Sequence, residues 1–335
     1  MKIILIGGHS GISNGSTRSL LDIAEQLSLK NYTVSLCSVA RSEDFGVDLK
    51  SITKKNGFSQ VRRSLLNIPH LVFDIFRLLF LLKRQNPDVV YLNDTPYFYL
   101  VPFIRITGVR VILHMRFSPP KGLMYKIIRS FAQYASRVVH VSRFNQAEWG
   151  LSNSVVLWNR GKHEFLVEGR HINTIKNVLI LSRMSPEKGV DIALERLANS
   201  RFNLRVVGSP YYVYQKEYYE DLKSKYNSPR IEWLPETSDV KSQMSWADAL
   251  VHYPRFEDPF PGVILEALAS NVLIVTNGKG GISEMCSGFE GVMNIGELEE
   301  RKDEKFVVER YNKYTRTFAT SEEYSQQLIA LFNEK

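Results

Sequence analysis

The stretch Val251-His252-Tyr253-Pro254-Arg255-Phe256-Glu257-Asp258-Pro259-Phe260-Pro261-Gly262-Val263-Ile264-Leu265-Glu266-Ala267-Leu268-Ala269 decides how the rest of the chain is read. The apolar run ending at His252-Tyr253-Pro254 reads as a buried strand, and Val263 to Ala269 as the start of an apolar helix. Pro259 and Pro261 fit neither a central strand nor a helix interior, so Glu257 and Asp258 fall on a loop at the strand's C-terminal edge. That edge is where open α/β sheets bind ligands. Asp258 on the loop and Glu266 one turn inside the helix are spaced to face one pocket from two sides. Taken alone, the pair reads equally well as a solvated cap and a helix-surface charge.

On these residues the chain resembles the retaining GT-B glycosyltransferases of family 4, whose signature is two acids separated by seven residues. The resemblance implies that the first acid lies beside the donor sugar and that the second, Glu266, holds the nucleotide ribose. Phe260, Pro261, Gly262 and Val263, between the acids, then belong to the donor site. The first acid of the family is usually Glu. The spacing here selects Asp258, with Glu257 just before it, and the motif leaves open which of the two meets the sugar.

A second segment, Ser182-Arg183-Met184-Ser185-Pro186-Glu187-Lys188-Gly189-Val190-Asp191, follows another apolar run. Arg183 at the strand end and Lys188 just before a helix are placed to grip two negative oxygens, aided by helix N-terminal amides. The segment is similar to the family's arginine and KG-x-D element, which implies that Arg183 and Lys188 neutralise the donor diphosphate. Ser182 stands where the family has Gly. Gly278-Lys279-Gly280-Gly281 resembles the glycine turn that follows the signature helix. Trp158-Asn159-Arg160-Gly161 resembles a turn near the domain junction, with Trp in place of Pro and Arg inserted before Gly.

Near the N-terminus, Gly7-Gly8-His9-Ser10-Gly11 and Asn14-Gly15-Ser16-Thr17-Arg18 form the loop after a first strand. Glycines there permit close backbone approach to a phosphate at a helix start. The loop is neither a GxGxxG dinucleotide fingerprint nor a Walker A loop. The part around Gly15 resembles the family's glycine loop facing the donor diphosphate and acceptor. His114 ends the strand-like Val111-Ile112-Leu113, and its position resembles that of the family's cleft histidine near the transferred sugar. Arg116 beside it and Asn93, at another strand end, are weaker acceptor-side candidates.

Composition narrows the class. With 44% hydrophobic and 23% charged residues, the chain has the make-up of a soluble globular protein. Cys37 and Cys286 make no pair or ligand cluster and read as reduced, buried thiols; the seven histidines show no metal-ligand spacing. The opening Met1-Lys2-Ile3-Ile4-Leu5-Ile6 is too short an apolar run for a signal peptide. Leu65 to Leu82 is interrupted by Pro69, His70, Asp74 and Arg77 and reads as a largely buried helix with a narrow polar stripe, not a membrane span.

Residues 1–170 hold 23 Lys/Arg against 11 Asp/Glu, and the remainder 20 against 24. That division suggests that the N-terminal half faces anionic material. Arg62, Arg63, Lys83, Arg84, Arg105, Arg110, Lys121, Lys126 and Arg129 all lie there. No RRM, helix-turn-helix or zinc-finger pattern accompanies the charge, so nucleic acid is not the expected partner. Anionic lipid or a diphosphate-linked acceptor fits it.

Apolar runs alternate with helical patterns along the whole chain, the signature of βαβ units on parallel sheets. The polar stretch from Lys50 to Phe58 reads as a loop, and Glu164 to Lys176 as the linker between two halves. The expected architecture is α/β, with domains at 1–165 and 170–335. The resemblance makes it GT-B, two Rossmann-like doubly wound domains facing across a cleft. The implied function is a retaining, metal-independent hexosyltransferase that moves a sugar from a nucleotide-diphosphate sugar to a glycan or lipid-linked acceptor in bacterial-type surface polysaccharide synthesis. No DxD-type acidic ligand set accompanies the motifs, in line with an activity needing no metal or other cofactor. Its expected place is cytoplasmic, at the inner face of the membrane. The alternatives are a GT-B nucleotide-sugar epimerase or hydrolase and a noncatalytic sugar-nucleotide-binding partner.

Overall fold

The computed structural model describes residues 1–7, 15–38, 53–56, 68–301 and 305–334. The loop around His9, Ser10, Gly11 and Asn14 lies outside them, as do Arg62 and Arg63. The chain forms two compact units, Met1–Arg160 with Ser321–Lys335, and Gly161–Thr320.

The first unit is built on seven strands: β1 (Lys2–Gly7), β2 (Thr33–Ser38), β3 (Thr53–Asn56), β4 (Val89–Leu92), β5 (Arg110–Met115), β6 (Arg137–His140) and β7 (Ser154–Val156). They pair in the order β3-β2-β1-β4-β5-β6-β7, every contact parallel. The strand order reverses between β1 and β4. Helices α1 (Gly15–Leu29), α2 (Ile68–Gln85), α3 (Val101–Arg105), α4 (Leu123–Ala132) and α5 (Arg143–Trp149) make the connections. Both faces of the central strands are covered, which is why they read as unbroken apolar runs. Ile4, Ile6, Val90, Leu92, Val111 and Leu113 pack with Leu78 and Leu82 of α2, Ile104 of α3 and Ile128 and Ala132 of α4.

Three features differ from the sequence reading. Thr53–Asn56 is a strand, in register with β2 from Ser35↔Thr53 to Ser38↔Asn56. A polar edge strand carries no apolar signal, because an edge is blunted by charge rather than buried. Second, the helix Ser321–Asn333 belongs to the first unit, not to the C-terminal domain. Right-handed crossovers send α2, α3, α4 and α5 to one face of the sheet and, among the described residues, leave only α1 for the other. The returning helix adds to the cover of that face beside α1. Phe332 stacks on Tyr91 at 5.5 Å, Arg110 donates to the Phe332 carbonyl at 2.7 Å, and Arg137 meets Glu334 at 2.7 Å.

Third, α2 is turned the other way from its expected packing. Asp74 points inward, 2% exposed, accepting from the Tyr99 hydroxyl at 3.1 Å. Phe73, Phe76 and Phe80 point outward at 61%, 67% and 67% exposure. The inner apolar residues Leu78 and Leu82 suffice for the core, and Tyr99 supplies the partner that lets Asp74 be buried.

The second unit has strand β8 (Arg170–Ile172), then β9 (Asn177–Leu181), β10 (Asn203–Val207), β11 (Ile231–Leu234), β12 (Ala249–His252), β13 (Leu273–Thr276), β14 (Val292–Met293) and β15 (Phe306–Val308). β9 to β14 form a parallel sheet in the order β11-β10-β9-β12-β13-β14, while β8 and β15 pair antiparallel at its side. β8 falls inside the stretch expected to be linker. The connecting helices include α6 (Val190–Leu197), α7 (Val213–Lys225), α8 (Val240–Trp246), α9 (Gly262–Ala269) and α10 (Gly281–Cys286). Strand order reverses between β9 and β12. Both motif loops, 182–188 and 253–261, leave the C-terminal ends of those two strands, at the switch point where such sheets take ligands. Cys37 and Cys286 are buried free thiols; burial pushes Cys286 up to about 12.

Candidate active site

In the second unit the centre is an ion pair. Lys188 Nζ lies 2.8 Å from Asp258 Oδ2, and the ammonium sits 5.0 Å from the Phe256 ring centroid. Asp258 Oδ1 also accepts from the Phe260 amide at 3.3 Å. Burial pushes the Asp258 carboxyl up, but the Lys188 charge and hydrogen bond and the Phe260 amide outweigh it and hold the group below its ordinary value. His252, at the end of β12, approaches the same oxygen at 3.9 Å. Burial first, then Lys188, pushes His252 down to about 4, so at neutral pH it is an uncharged wall of the site.

Glycine makes this closeness possible. Gly189 has φ +65, and a Cβ there would overlap the Tyr253 carbonyl; it brings the Lys188 turn against the end of β12. Gly281 donates to the Asp258 carbonyl at 3.0 Å, and its own Cβ would overlap the Pro259 carbonyl. The Gly280-Gly281 turn therefore closes against the acidic loop. Of the adjacent acids, Asp258 is turned toward Lys188 and is 8% exposed, whereas Glu257 lies exposed. Glu266, on α9, is 6% exposed. Phe260 and Pro261 are buried, and Gly262 and Val263 open α9, where first-turn amides have no acceptor within the helix.

Arg183 extends from the end of β9, half-buried, and bonds Glu187 at 2.8 Å. Both expected diphosphate-binding cations thus rest on carboxylates. A residue missed in the sequence reading fixes their frame. Arg255 grips Asp191 through two nitrogens and donates to the Pro186 carbonyl at 2.7 Å, and its amide donates to the Glu187 carbonyl at 2.9 Å. Asp191 accepts in turn from the Tyr218 hydroxyl at 2.7 Å. Arg255 therefore ties the Lys188 loop to the Asp258 loop. Its place inside the signature stretch was the available signal; its partner, 64 residues away, was not.

In the first unit, Arg116 is the hub. Its guanidinium meets Asn93 Oδ1 at 3.0 Å, Asn159 Oδ1 at 2.9 Å, Ser19 Oγ at 2.6 Å and His114 Nδ1 at 3.0 Å. No carboxylate is among these partners. Asn93 is fully buried and donates to the Ser16 carbonyl at 2.9 Å, bracing the start of α1 against the end of β4. Gly15, at that start, is exposed.

His114 is fully buried, its Nδ1 shared between Arg116 and the Tyr91 hydroxyl, and among the described residues its Nε2 has no hydrogen-bond partner. Burial first, then the Arg116 charge, holds it well below its ordinary pKa. The side chain that emerges at this strand end is Arg116, which is half-buried. Among the described residues no group of three or more His, Cys, Asp or Glu side chains could hold a metal ion.

Comparison with known proteins places this geometry. Glycosyltransferase Family 4 matches residues 13–151 and Glycosyl transferases group 1 matches residues 164–327, which together span nearly the whole chain. An uncharacterised glycosyltransferase of Methanocaldococcus jannaschii is 28% identical over 187 residues, covering 52% of this chain and 51% of that protein, so the chain matches about half the relative's length. Among solved structures, Anabaena HepE in complex with UDP and glucose is similar at a TM-score of 0.79 and 17% identity, over 100% of this chain and 99% of that one. HepE has also been solved with UDP-glucose. WaaG, a glycosyltransferase involved in lipopolysaccharide biosynthesis, is similar at a TM-score of 0.63 and 14% identity, over 100% of this chain and 96% of that one. Two Rossmann-like parallel-sheet units with paired motif loops at a switch point define a GT-B glycosyltransferase. Within that class the chain belongs to the family 4, group 1 glycosyltransferases.

Proposed function

We propose that the protein is a retaining glycosyltransferase that takes a hexose from a nucleoside-diphosphate donor without a metal. The observation that carries this reading is the Lys188–Asp258 pair, a cation and a buried carboxylate one hydrogen bond apart at the β9/β12 switch point. As the bond from the anomeric carbon to the diphosphate breaks, negative charge gathers on the leaving group. Lys188 and Arg183 exchange their carboxylate partners for diphosphate oxygens and stabilise that charge. Asp258, freed of Lys188, positions the donor sugar, and Glu266 takes the ribose hydroxyls. Retention follows the family resemblance: the acceptor oxygen bonds to the face the diphosphate leaves, and its proton passes to the departing phosphate.

HepE is solved with UDP and glucose and with UDP-glucose, which makes UDP-glucose the first donor to try. Arg116 and Asn93 are assigned to the acceptor, and Gly15, at the start of α1 beside them, to the donor. The involvement of WaaG in lipopolysaccharide biosynthesis favours a glycan or lipid-linked acceptor in surface polysaccharide synthesis, reached at the inner face of a membrane. The test is a thermal-shift screen across UDP, GDP, ADP, CMP and dTDP and their sugars, followed by transfer assays with and without EDTA. A nucleotide that binds the native state raises the melting temperature by mass action. One stabilising diphosphate sugar, with EDTA-insensitive transfer and retained anomeric configuration in the product, is the expected result. No stabilising nucleotide, or release of sugar to water or an epimer alone, overturns the reading.

A further inference from the structure

We propose that the outward face of α2 is an interfacial anchor that lies in the headgroup region of an anionic lipid bilayer. At 100° per residue, Val72, Phe73, Phe76 and Phe80 share one sector of roughly 140° with Arg77, Lys83 and Arg84. The four apolar residues are 45%, 61%, 67% and 67% exposed. Three exposed phenylalanines at i, i+3 and i+7 form a continuous seam, which an isolated surface Phe does not. Lys83 and Arg84, both exposed, continue the seam at the helix's C-terminal end, and Arg77 lies over the Phe73 ring at 5.7 Å. The helix's acid, Asp74, is withdrawn into the core on Tyr99. Among the described residues, every ionisable side chain left on the outer face is therefore a cation.

Aromatic rings with cations among them on one helix face match an amphipathic segment in the plane of the membrane. α2 does not span: it holds 18 residues with Asp74, Arg77, Lys83 and Arg84 among them, and no helix of the described residues is long and apolar enough to cross. Charge selects the occupant. The first unit carries 22 Lys/Arg against 12 Asp/Glu, so a second copy would set two like-charged faces together, whereas anionic headgroups complement them. α4 covers the same sheet face and adds exposed Leu123 and Met124 beside exposed Lys121 and Lys126. Of the other basic residues expected to contribute, Arg110 and Arg129 instead bond backbone carbonyls of their own unit. The proposal rests on the membrane-proximal part of the functional reading and not on its transfer chemistry.

The test is co-sedimentation of the full chain with phosphatidylcholine vesicles, with and without phosphatidylglycerol, over a range of salt. Native protein is expected to bind the anionic vesicles, more weakly as salt rises. Phe76→Ser with Phe80→Ser should lower that binding by about tenfold or more. Lys83→Glu with Arg84→Glu should abolish the preference for phosphatidylglycerol. In both variants the thermal shift with the stabilising nucleotide should match native protein, which shows the fold and donor site intact. Absence of native binding at low ionic strength overturns the proposal, as does native-like binding by the Phe variant. A dimer in sedimentation velocity that the Phe variant dissociates also overturns it, by assigning the face to a second copy. None of these results touches the transfer reading, which stands or falls on nucleotide stabilisation and product analysis.

Discussion

Lys188 and Asp258 hold each other in this structure, and in the proposed mechanism the donor separates them. Asp258→Asn removes the charge that retains Lys188 and is expected to leave nucleoside-diphosphate binding equal or tighter while turnover falls. Glu266→Ala is expected to weaken the same binding. Isothermal titration with the free diphosphate separates the two, and weaker binding in the Asp258 variant than in the Glu266 variant would mean the acids' roles are exchanged. Lys188→Ala and Arg183→Ala should each cost about a hundredfold or more in turnover, as loss of one charge-stabilising donor generally does, with unchanged circular dichroism. The buried histidines set the response to acid. His252 and His140 are both pushed down by burial from 6.5 to about 4, so between those values the unfolded chain binds protons that the folded chain refuses. Stability therefore rises with pH across that window and is lost as pH falls through it. The melting temperature should begin to drop below about pH 6.5, and His252→Gln should flatten the fall; a flat native profile down to about pH 4.5 would contradict their burial as neutral groups.

Secondary structure was legible where burial and pattern coincide. β9 to β13 were readable as apolar runs because both sheet faces are covered, and the motif loops because Pro and Gly mark where such strands end. β3 was not: its Thr-Lys-Lys-Asn has no apolar residue, and only its pairing to β2 makes it a strand. Periodicity found α2 but not its orientation, since a pattern gives two faces without saying which is inward. Asp74 goes in because Tyr99, 25 residues away, receives it. The site shows the same division. The acids and cations were visible as local motifs, while the Arg255–Asp191 tie and the enclosure of His114 by Tyr91 and Arg116 depend on tertiary contact. The tie has a measurable consequence. Arg255→Ala should loosen both loops and lower turnover while Asp258, Lys188 and Glu266 stay in place, and Arg255→Lys, which lacks the fork, should restore little of it. Full activity in Arg255→Ala would remove its positioning role.

At the scale of the whole molecule, charge and function are divided between the units. Apart from Gly15, the residues assigned to the nucleotide lie in Gly161–Thr320, which has its own sheet and core. That segment expressed alone is expected to fold and to show a thermal shift with the diphosphate that stabilises the full chain. No shift in a folded segment would place essential nucleotide contacts in the first unit. The first unit is not continuous in sequence, and no local pattern announces this; the Phe332 ring on Tyr91 is its evidence.

That discontinuity reaches back to the ribosome. Strands β1 to β7 are all synthesised by Val156, yet among the described residues the face carrying Tyr91 has only α1 on it until Tyr324, Leu328 and Phe332 have emerged from the exit tunnel. At usual elongation rates that interval is on the order of ten to thirty seconds. During it the second unit can complete its own core while the first waits with the Tyr91 part of its sheet uncovered by this helix. The Tyr91 side of the first unit's sheet is thus closed by a helix, Ser321–Asn333, that is made only after the whole second unit.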